Sequence, residues 1–290
     1  MEPHLASTRP PPLLLALSVH WDDCSVALGT REQLTSEVWS RQPERTQAAD
    51  SPEGLKARPG PQGGPIASRD ALLLIDRLLV RTNTSLSAVD QFCFARGPGA
   101  FTSLRVAAGL VQGLSLAIGK PVAGICSLAA MVAHEPGWRP DGSVGPEAGP
   151  ARAWLQLSAI DARMGECYFG LHECRSGHYP VALMAPAVGK PLEAMTVFDA
   201  VLAQRAAQQA NVGIVLAGNA FGLLPALAEW ARQAGFDPAL AAARAPTAAA
   251  VLAVAASAGA PAAGPPELAL PVYVRDKIAL DVTEQRAARQ

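Results

Sequence analysis

The chain has 290 residues, half of them hydrophobic, and its 24 basic and 25 acidic side chains give a formal net charge of −1. This length and composition allow a large buried core and are better suited to two lobes than to one. Proteins that bind nucleic acid strongly usually present a basic face. The balanced charge, with no lysine- or arginine-rich run, therefore argues against strong direct RNA binding.

The N-terminus superficially resembles a secretory leader, because Arg9 and a proline run precede the apolar residues 13–19. This apolar run is short and continues into His20 without a small-x-small cleavage site. We therefore expect a buried first strand. No segment approaches the roughly 20 apolar residues of a membrane span, so we predict a cytosolic protein with no membrane partner.

Cysteine and histidine each occur five times. The cysteines form no Cys-x-x-Cys pair, and the histidines lack the spacing of zinc ligands. An odd number of cysteines in apolar, strand-like segments is typical of buried free thiols. We expect neither a disulfide scaffold nor a metal.

The first half is predicted to begin with an antiparallel meander and to continue with alternating helices and strands. The strands are expected at residues 13–19, 24–29, 34–39, near Phe92 and at 122–125, and the helices at 69–81, 104–118 and from Ser127 as N-cap. Residues 41–67 are rich in proline, glycine and charge, and loops of this length are uncommon unless mobile or functional. We interpret them as a flexible insertion.

The second half repeats the opening of the first. Strands are predicted at residues 154–160, 166–173, 179–184 and 213–217, and helices after residue 219 through Trp230 and at 247–257. A proline- and glycine-rich linker, residues 135–150, would separate an N-terminal lobe, 1–134, from a C-terminal lobe, 151–290. This order predicts an α/β, two-lobed actin/hexokinase-like (ASKHA) fold, in which each lobe is a mixed sheet with flanking helices.

A sharp turn is predicted where the strand near Phe92 ends, at Gly97, Pro98 and Gly99. Glycine allows φ values that other residues avoid, and proline fixes its own. Thr102 is a plausible N-cap for the helix that follows, so the amides of the turn would face an anion or a partner. The alternative is a connector without a ligand.

The following helix has a nearly bare face, because Gly109, Gly113 and Ala117 recur every four residues. Each glycine inside a helix costs about 1 kcal/mol relative to alanine. Their presence therefore suggests a neighbour that packs too closely to tolerate side chains. The sequence leaves open whether this neighbour belongs to the same chain or to another subunit.

At this turn the sequence resembles the bacterial TsaB family, also called YeaZ. Residues 97–105 read Gly-Pro-Gly-Ala-Phe-Thr-Ser-Leu-Arg, including Phe101, where the family has Gly-Pro-Gly-Ser-Phe-Thr-Gly-Leu-Arg. Residues 119–128 also resemble the family's Gly-x-Pro-Val-x-Gly-x-Ser-Ser-Leu. Ala100 and Ser103 depart from the family's serine and glycine, but all four residues are small, so we expect the same turn.

Two further matches lie in the second half. Residues 161–168 fit the family pattern Asp-Ala-Arg-x-Gly-Glu-x-Tyr, in which Gly165 would supply a strand-to-strand turn. Asp161, Arg163 and Glu166 would form a charged cluster at its tip, and plain surface ion pairs are the alternative interpretation. Residues 270–275 resemble the family's Pro-x-Tyr-x-Arg more weakly.

The resemblance implies a non-catalytic protein that dimerises with its paralogue TsaD. Together with the ATPase TsaE, the pair would help to install threonylcarbamoyl on the adenosine beside the anticodon of certain tRNAs. The chain would form a homodimer when alone and would meet tRNA only through the complex. The implied partner-binding residues lie on two helices and are Leu72, Ile75, Asp76, Leu79, Thr102, Arg105, Gly109, Gly113 and Ala117.

The resemblance also implies that the chain is not an enzyme by itself. Active members of the superfamily carry an acidic residue at the end of the first strand, and TsaB proteins often have Asp-Thr-Ser there, whereas this chain reads Ser18-Val19-His20. A hard cation prefers anionic oxygen ligands. The His-x-x-x-His metal motif of TsaD is absent from residues 69–81. We expect no bound cofactor, although ATP or ADP at the complex interface stays possible.

The alternative function is a nucleotide-binding ATPase or a peptidase-like enzyme of the same superfamily. Gly218 and Asn219, like the turn at Gly97, follow a predicted strand end, where phosphates often sit in related folds. A peptidase needs an activated water or nucleophile, and the sequence shows neither a zinc motif nor a serine or cysteine with an assigned base.

Overall fold

The structure, a computed structural model, describes residues 10–20, 23–40, 68–135, 138–140, 153–207 and 213–275. The predicted insertion at residues 41–67 and most of the predicted linker at 135–150 lie outside these ranges. Within the linker, Trp138 is described and is fully buried in the core.

The first sheet has five strands in the order β3-β2-β1-β4-β5. They are β1 (Leu14–Val19), β2 (Asp23–Gly29), β3 (Leu34–Ser40), β4 (Gln91–Gly97) and β5 (Val122–Cys126). The first three strands pair antiparallel, and β4 and β5 add in parallel to β1. The predicted meander is therefore confirmed. Every residue of β1 is buried, as expected for an apolar run at the centre of a sheet covered on both faces.

Helices cover both faces of this sheet. On one face lie α1 (Ser68–Arg81) and α2 (Phe101–Ile118), which share a core with β1, β2 and β4. The other face packs against α8 (Ala248–Ala255) and a 3-10 turn at Met131–His134, which follows α3 (Ser127–Ala130). Residues from the end of the chain thus complete the core of the first sheet.

The second sheet has the order β10-β6-β7-β8, with β9 paired to β7. Its strands are β6 (Trp154–Arg163), β7 (Glu166–Cys174), β8 (Val181–Ala182), β9 (Ala187–Gly189) and β10 (Gly213–Ala217). Its helices are α4 (Pro191–Ala207), α5 (Ala220–Leu223), α6 (Pro225–Gln233) and α7 (Pro238–Ala243). Phe169, Phe198, Phe221 and Trp230 form the aromatic centre of its core.

Several details differ from the sequence-based predictions. The strand predicted at residues 179–184 shrinks to the two residues of β8. The helix predicted to run through Trp230 is interrupted, because Pro225 holds Leu224 in an extended conformation at φ −102°. The helix α4 was not predicted. Both predicted N-caps are wrong by one or two positions, since Ala100 and Cys126 precede the helices and neither side chain forms a cap.

The architecture is a two-lobed ASKHA-like fold, with two mixed sheets and flanking helices, as predicted. The lobe boundaries stay a prediction. Helix α8 belongs to the predicted C-terminal lobe but packs on the first sheet, a crossover that those boundaries did not include. Among the described residues, only α2 has the length and composition of a membrane-crossing helix. Core helices of water-soluble proteins have the same properties, and α2 packs on β4 and β1.

Candidate functional site

The three sequence motifs, which are separated by up to 178 positions in the printed sequence, meet at one place. The backbone amide of Val272 donates a hydrogen bond of 2.7 Å to the carbonyl of Arg96, at the end of β4. One residue later, the ring of Tyr273 lies 4.9 Å from the ring of Phe101. The C-terminal motif therefore packs directly against the turn that precedes α2.

Gly97 is required by this contact as well as by the turn. Its φ is +113°, and a Cβ placed there would lie 2.6 Å from the carbonyl oxygen of Val272. Both the backbone conformation and the close approach exclude a side chain. The Gly97–Pro98 peptide is cis.

The first turn of α2 has backbone amides without acceptors. The first helical hydrogen bond runs from Leu104 N to Ala100 O, and Ala100 offers no capping side chain. Thr102, the predicted cap, lies inside the helix and is exposed. The amides of Phe101, Thr102 and Ser103 thus find no acceptor in the part of the chain that is described, and they carry the positive end of the helix dipole.

Arg105 is held over this turn by aromatic rings. Its guanidinium carbon lies 3.9 Å from the centre of the Phe101 ring. Its Nε donates to the hydroxyl of Tyr273 at 3.1 Å. Contacts of this kind between a guanidinium and aromatic faces are favourable, so the positive charge of Arg105 stays close to the N-terminus of α2.

The charged cluster lies at the tip of the β6–β7 hairpin. Arg163, Met164 and Gly165 all have positive φ, at 64°, 56° and 69°. Arg163 pairs with the buried carboxylate of Asp161 at 3.5 Å. This carboxylate also accepts a 3.0 Å hydrogen bond from the Arg163 amide. The cluster is therefore more than a pair of loose surface charges, because local hydrogen bonds fix its backbone.

The C-terminal motif also closes the hairpin tip. Arg275 lies 2.5 Å from the carboxylate of Glu166 and donates to the carbonyl of Ala162 at 3.3 Å. Lys190 approaches the same carboxylate at 3.7 Å. Residues 272–275 therefore join the turn of the first lobe to the hairpin of the second.

A cleft of about 210 Å³ opens between the turn, the hairpin tip and the C-terminal motif. Its lining residues come from all three and are Gly99, Phe101, Ala162, Arg163, Met164, Tyr168, Tyr273, Val274 and Arg275. Tyr168 and Met164 were not singled out from the sequence. The signal available for Tyr168 was its place beside Glu166 in the family motif.

The end of β1, where active superfamily members hold metal and phosphate, is occupied by the chain itself. Ser18 Oγ donates to the carbonyl of Pro246 and lies 3.1 Å from His20 Nε2. His20 contacts the same carbonyl at 3.3 Å, and burial lowers its pKa below the ordinary 6.5. Ser18 and His20 are themselves neutral here, and the carboxylate that acts on His20 is that of Asp23, which opposes the effect of burial on the His20 pKa.

Gly218 and Asn219, the other strand-end candidate, support β6. The Cβ of any side chain at position 218 would lie 2.0 Å from the Ala159 carbonyl, and φ is +119°. The Asn219 side chain accepts a 2.9 Å hydrogen bond from the Asp161 amide. Both residues therefore position the hairpin that carries Asp161.

Among the described residues, no group of three or more histidine, cysteine or acidic side chains could hold a metal ion. The five cysteines are free thiols. Burial raises the pKa of Cys24 and Cys167 to about 12. These thiols are therefore protonated near neutral pH and are poor nucleophiles.

The predicted partner face lies on the outer side of α1 and α2. Leu72, Asp76, Arg105 and the small residues Gly109, Gly113 and Ala117 are exposed, and Leu79 is half-buried. Ile75 is a correction, because its side chain is 4% exposed and belongs to the core. Nearby exposed apolar side chains that were not predicted are Leu73, Val80 and Leu116.

Comparisons with known proteins agree with the motifs. A family model described as TsaD, tRNA N6-adenosine threonylcarbamoyltransferase, matches residues 67–195. A curated relative from Escherichia coli, named tRNA threonylcarbamoyladenosine biosynthesis protein TsaB, is 34% identical over 35% of this chain and 39% of its own length. The relative of the same name from Haemophilus influenzae is 37% identical over 34% and 36%. The matched region thus spans well under half the length of these curated relatives.

Solved structures extend the similarity to most of the chain. A Pseudomonas aeruginosa protein described as similar to peptidase YEAZ has a TM-score of 0.62 and 28% identity, covering 91% of this chain and all of that one. A second structure, YeaZ from the same organism, has a TM-score of 0.56 and 26% identity over 90% and 99%. In its motifs, its curated relatives and its fold, the chain is similar to the TsaB (YeaZ) family.

Proposed function

We propose that this chain takes part in the biosynthesis of threonylcarbamoyladenosine in tRNA, as the non-catalytic partner of a TsaD-type transferase. It would act with a TsaE-type ATPase and would meet tRNA only within the complex. The relatives' names support the pathway. The bare face of α2 and the filled end of β1 support the role as a non-catalytic partner.

One observation carries the partner role: the face of α2 is bare, although no part of the chain that the structure describes packs against it. A Cβ added at Gly109 or Gly113 would have no neighbour within 4 Å outside the helix backbone, as far as the structure is described. Two helix glycines cost about 1 kcal/mol each. A partner helix that approaches closely would offset this cost, because short interaxial distances need small contacts.

The exposed apolar residues around this face favour a protein partner. Leu72 is 43% exposed, Leu116 67% and Val80 75%. Because α1 and α2 pack side by side on one face of the first sheet, their outer surfaces form a two-helix platform. A second copy of this chain or the transferase would present two helices to it, and in solution the isolated chain would pair with itself.

The non-catalytic role is supported by the filled end of β1. Ser18, His20 and the Pro246 carbonyl satisfy one another there. A neutral buried histidine is a poor substitute for the carboxylate that a hard cation prefers.

Deletion of the gene tests the function. We expect threonylcarbamoyladenosine in bulk tRNA, measured by mass spectrometry of nucleosides, to fall, and plasmid-borne wild type to restore it. A Gly113→Leu variant should fail to restore it. Ala203→Leu on the exposed side of α4, a matched small-to-large change, should succeed. Unchanged modification in the deletion strain would refute the proposal.

A further inference from the structure

A short segment, residues 244–247, carries the chain from the second sheet to the first, and we call it the strap. Before the strap, α7 joins the core of the second sheet through Ala241. After it, α8 packs on the first sheet. Thr247 caps α8 by accepting a hydrogen bond from the Ala250 amide. The strap is therefore a joint between the two sheets, and what holds it decides how firmly they are connected there.

Side chains from the first half of the chain hold two successive carbonyls of the strap. Nε2 of His134, in the 3-10 turn after α3, lies 2.5 Å from the Ala245 carbonyl oxygen. Ser18 Oγ donates to the next carbonyl, that of Pro246. Because a carbonyl oxygen only accepts hydrogen bonds, His134 Nε2 carries a proton in this arrangement.

Both ends of the strap are held as well. Arg244, at its start, donates to the Leu216 carbonyl of β10 at 3.0 Å and pairs with the carboxylate of Glu135 at 3.1 Å. The amide of Ala248, directly after the strap, donates to Ser25 Oγ of β2 at 2.8 Å. Side-chain and backbone bonds thus fasten the strap to both sheets.

The charges around His134 make its hydrogen bond sensitive to protonation. The helices α3 and α8, which pack against its 3-10 turn, contain no charged side chain. The strap contributes Arg244, which Glu135 pairs, and His20 holds the next carbonyl. Burial lowers the pKa of His134 below the ordinary 6.5; the bond to Ala245 opposes this shift and Arg244 adds to it. A protonated ring would place a second positive charge beside Arg244.

We propose that the strap is a fastened joint between the two sheets, which His134 holds closed as a neutral donor and releases on protonation. The neutral ring donates its Nε2 proton to the Ala245 carbonyl, and Arg244 keeps both of its partners. The charged ring repels Arg244 in a partly buried place, where such repulsion is strong. His20 is less sensitive, because the carboxylate of Asp23 favours its charged form.

Hydrogen exchange of the isolated full-length chain, followed by NMR, tests the joint. The amides of Ala248 and Val251 report on it, since they bond to Ser25 Oγ and to the Thr247 carbonyl. At pH 7.5 they should be less protected than the amide of Leu157 in the buried strand β6, because a joint opens locally. Equal protection would show that the strap opens only with the whole fold, and would overturn the proposal.

The pH dependence tests the release. The neutral ring is favoured in the closed strap, so its contribution is complete above pH 6.5 and is lost as the pH falls. Between pH 7.5 and pH 5, protection factors at the strap, corrected for intrinsic exchange, should fall by a factor of about 2 to 30. The upper limit follows from a released ring with an ordinary pKa of 6.5.

Two variants of His134 separate the donor from the charge. His134→Gln keeps an N–H donor and cannot be protonated; it should keep wild-type protection at pH 7.5 and lose most of the fall on acidification. His134→Phe keeps a flat ring without a donor, and should lower protection at pH 7.5 by about twofold to tenfold, the loss expected for one hydrogen bond.

His178→Gln is the matched control. His178 is exposed, and its Nδ1 lies 3.0 Å from the Ser176 carbonyl oxygen, within the second half of the chain. This change should leave exchange at the strap as in wild type. The wild-type pH dependence in His134→Gln would overturn the release by His134. Wild-type protection in a His134→Phe protein that is folded by circular dichroism would overturn the fastening.

Discussion

Gly97 lies where the first lobe meets the C-terminal motif. Its φ of +113° and the Val272 carbonyl, which would lie 2.6 Å from a Cβ placed at this position, both exclude a side chain. Gly97→Ala should lower the free energy of unfolding by about 1–3 kcal/mol, since an L-residue is strained there. Gly99→Ala is the matched control, because its Cβ would meet Leu104 at an ordinary 3.6 Å. Equal denaturant midpoints for the two variants would contradict this interpretation.

His172 makes stability depend on pH. Burial lowers its pKa to about 4 from the ordinary 6.5, and its Nδ1 has no described partner. The folded state disfavours the charged ring, so the stability contribution is complete above pH 6.5 and is lost as the pH falls towards 4. Between pH 7 and pH 5 the loss from this group is about 2 kcal/mol.

Urea unfolding of wild type and His172→Gln at both pH values measures this contribution. The variant should lose about 2 kcal/mol less than wild type on acidification. His20 and His134, whose pKa values are also lowered by burial, remain in both proteins and serve as an internal background. The same pH dependence in both proteins would exclude His172 as a cause.

Single residues also show how far the sequence could predict the site. The turn at Gly97 and the charges of the hairpin tip followed from local chemistry and the family motif. The cap at Thr102 did not, because helix α2 begins at Phe101, so that Ala100 is the N-cap and Thr102 lies inside the helix. Ile75 was placed on the partner face, although the helix turns it into the core. The choice between two faces of an apolar helix depends on the sheet beneath it.

At the scale of elements, α2 contains glycines that lower its stability although no described neighbour needs the space they leave. Gly109 is exposed, and no described residue outside the helix backbone lies within 4 Å of a Cβ placed there. Gly109→Ala should raise the free energy of unfolding of the isolated chain by about 0.5–1 kcal/mol. Gly119→Ala provides the contrast, because the space is also open but φ is +65°, and should lower it by about 1–2 kcal/mol. Destabilisation by both would show that Gly109 serves the fold.

Element prediction succeeded where the apolar pattern was strong. The strands β1 and β2 are short buried runs bounded by turn residues, and each was predicted to within one residue of its observed limits. Helix α4 was missed because only Ala194 and Phe198 are buried in its 17 residues, which leaves no apolar stripe to recognise. Two-residue β8 owes its pairing to β7, a tertiary contact that local sequence does not encode.

At the scale of the whole molecule, the C-terminal part of the chain ties the two lobes together. Helix α8 completes the core of the first sheet, and residues 272–275 join the turn of the first lobe to the hairpin of the second. Neither crossover follows from composition or periodicity. Residues 273–275 line the cleft together with the other two motifs, so the motifs could be recognised separately while their meeting point could not be predicted.

At this scale we propose that the outer face of α1 and α2 is an assembly surface for a TsaD-type transferase. The measurement that tests it most directly is the affinity of the purified chain for this transferase, by titration calorimetry, with wild type, Gly113→Leu and Ala203→Leu. Open space at Gly113 means that the variant should fold as well as wild type by circular dichroism.

We expect Gly113→Leu to lose about fivefold to 150-fold in affinity, because a buried side chain at a close helix contact causes overpacking that costs about 1–3 kcal/mol. Ala203→Leu should bind like wild type. Wild-type affinity for a folded Gly113→Leu protein would contradict the assignment of this face and the role proposed for the chain.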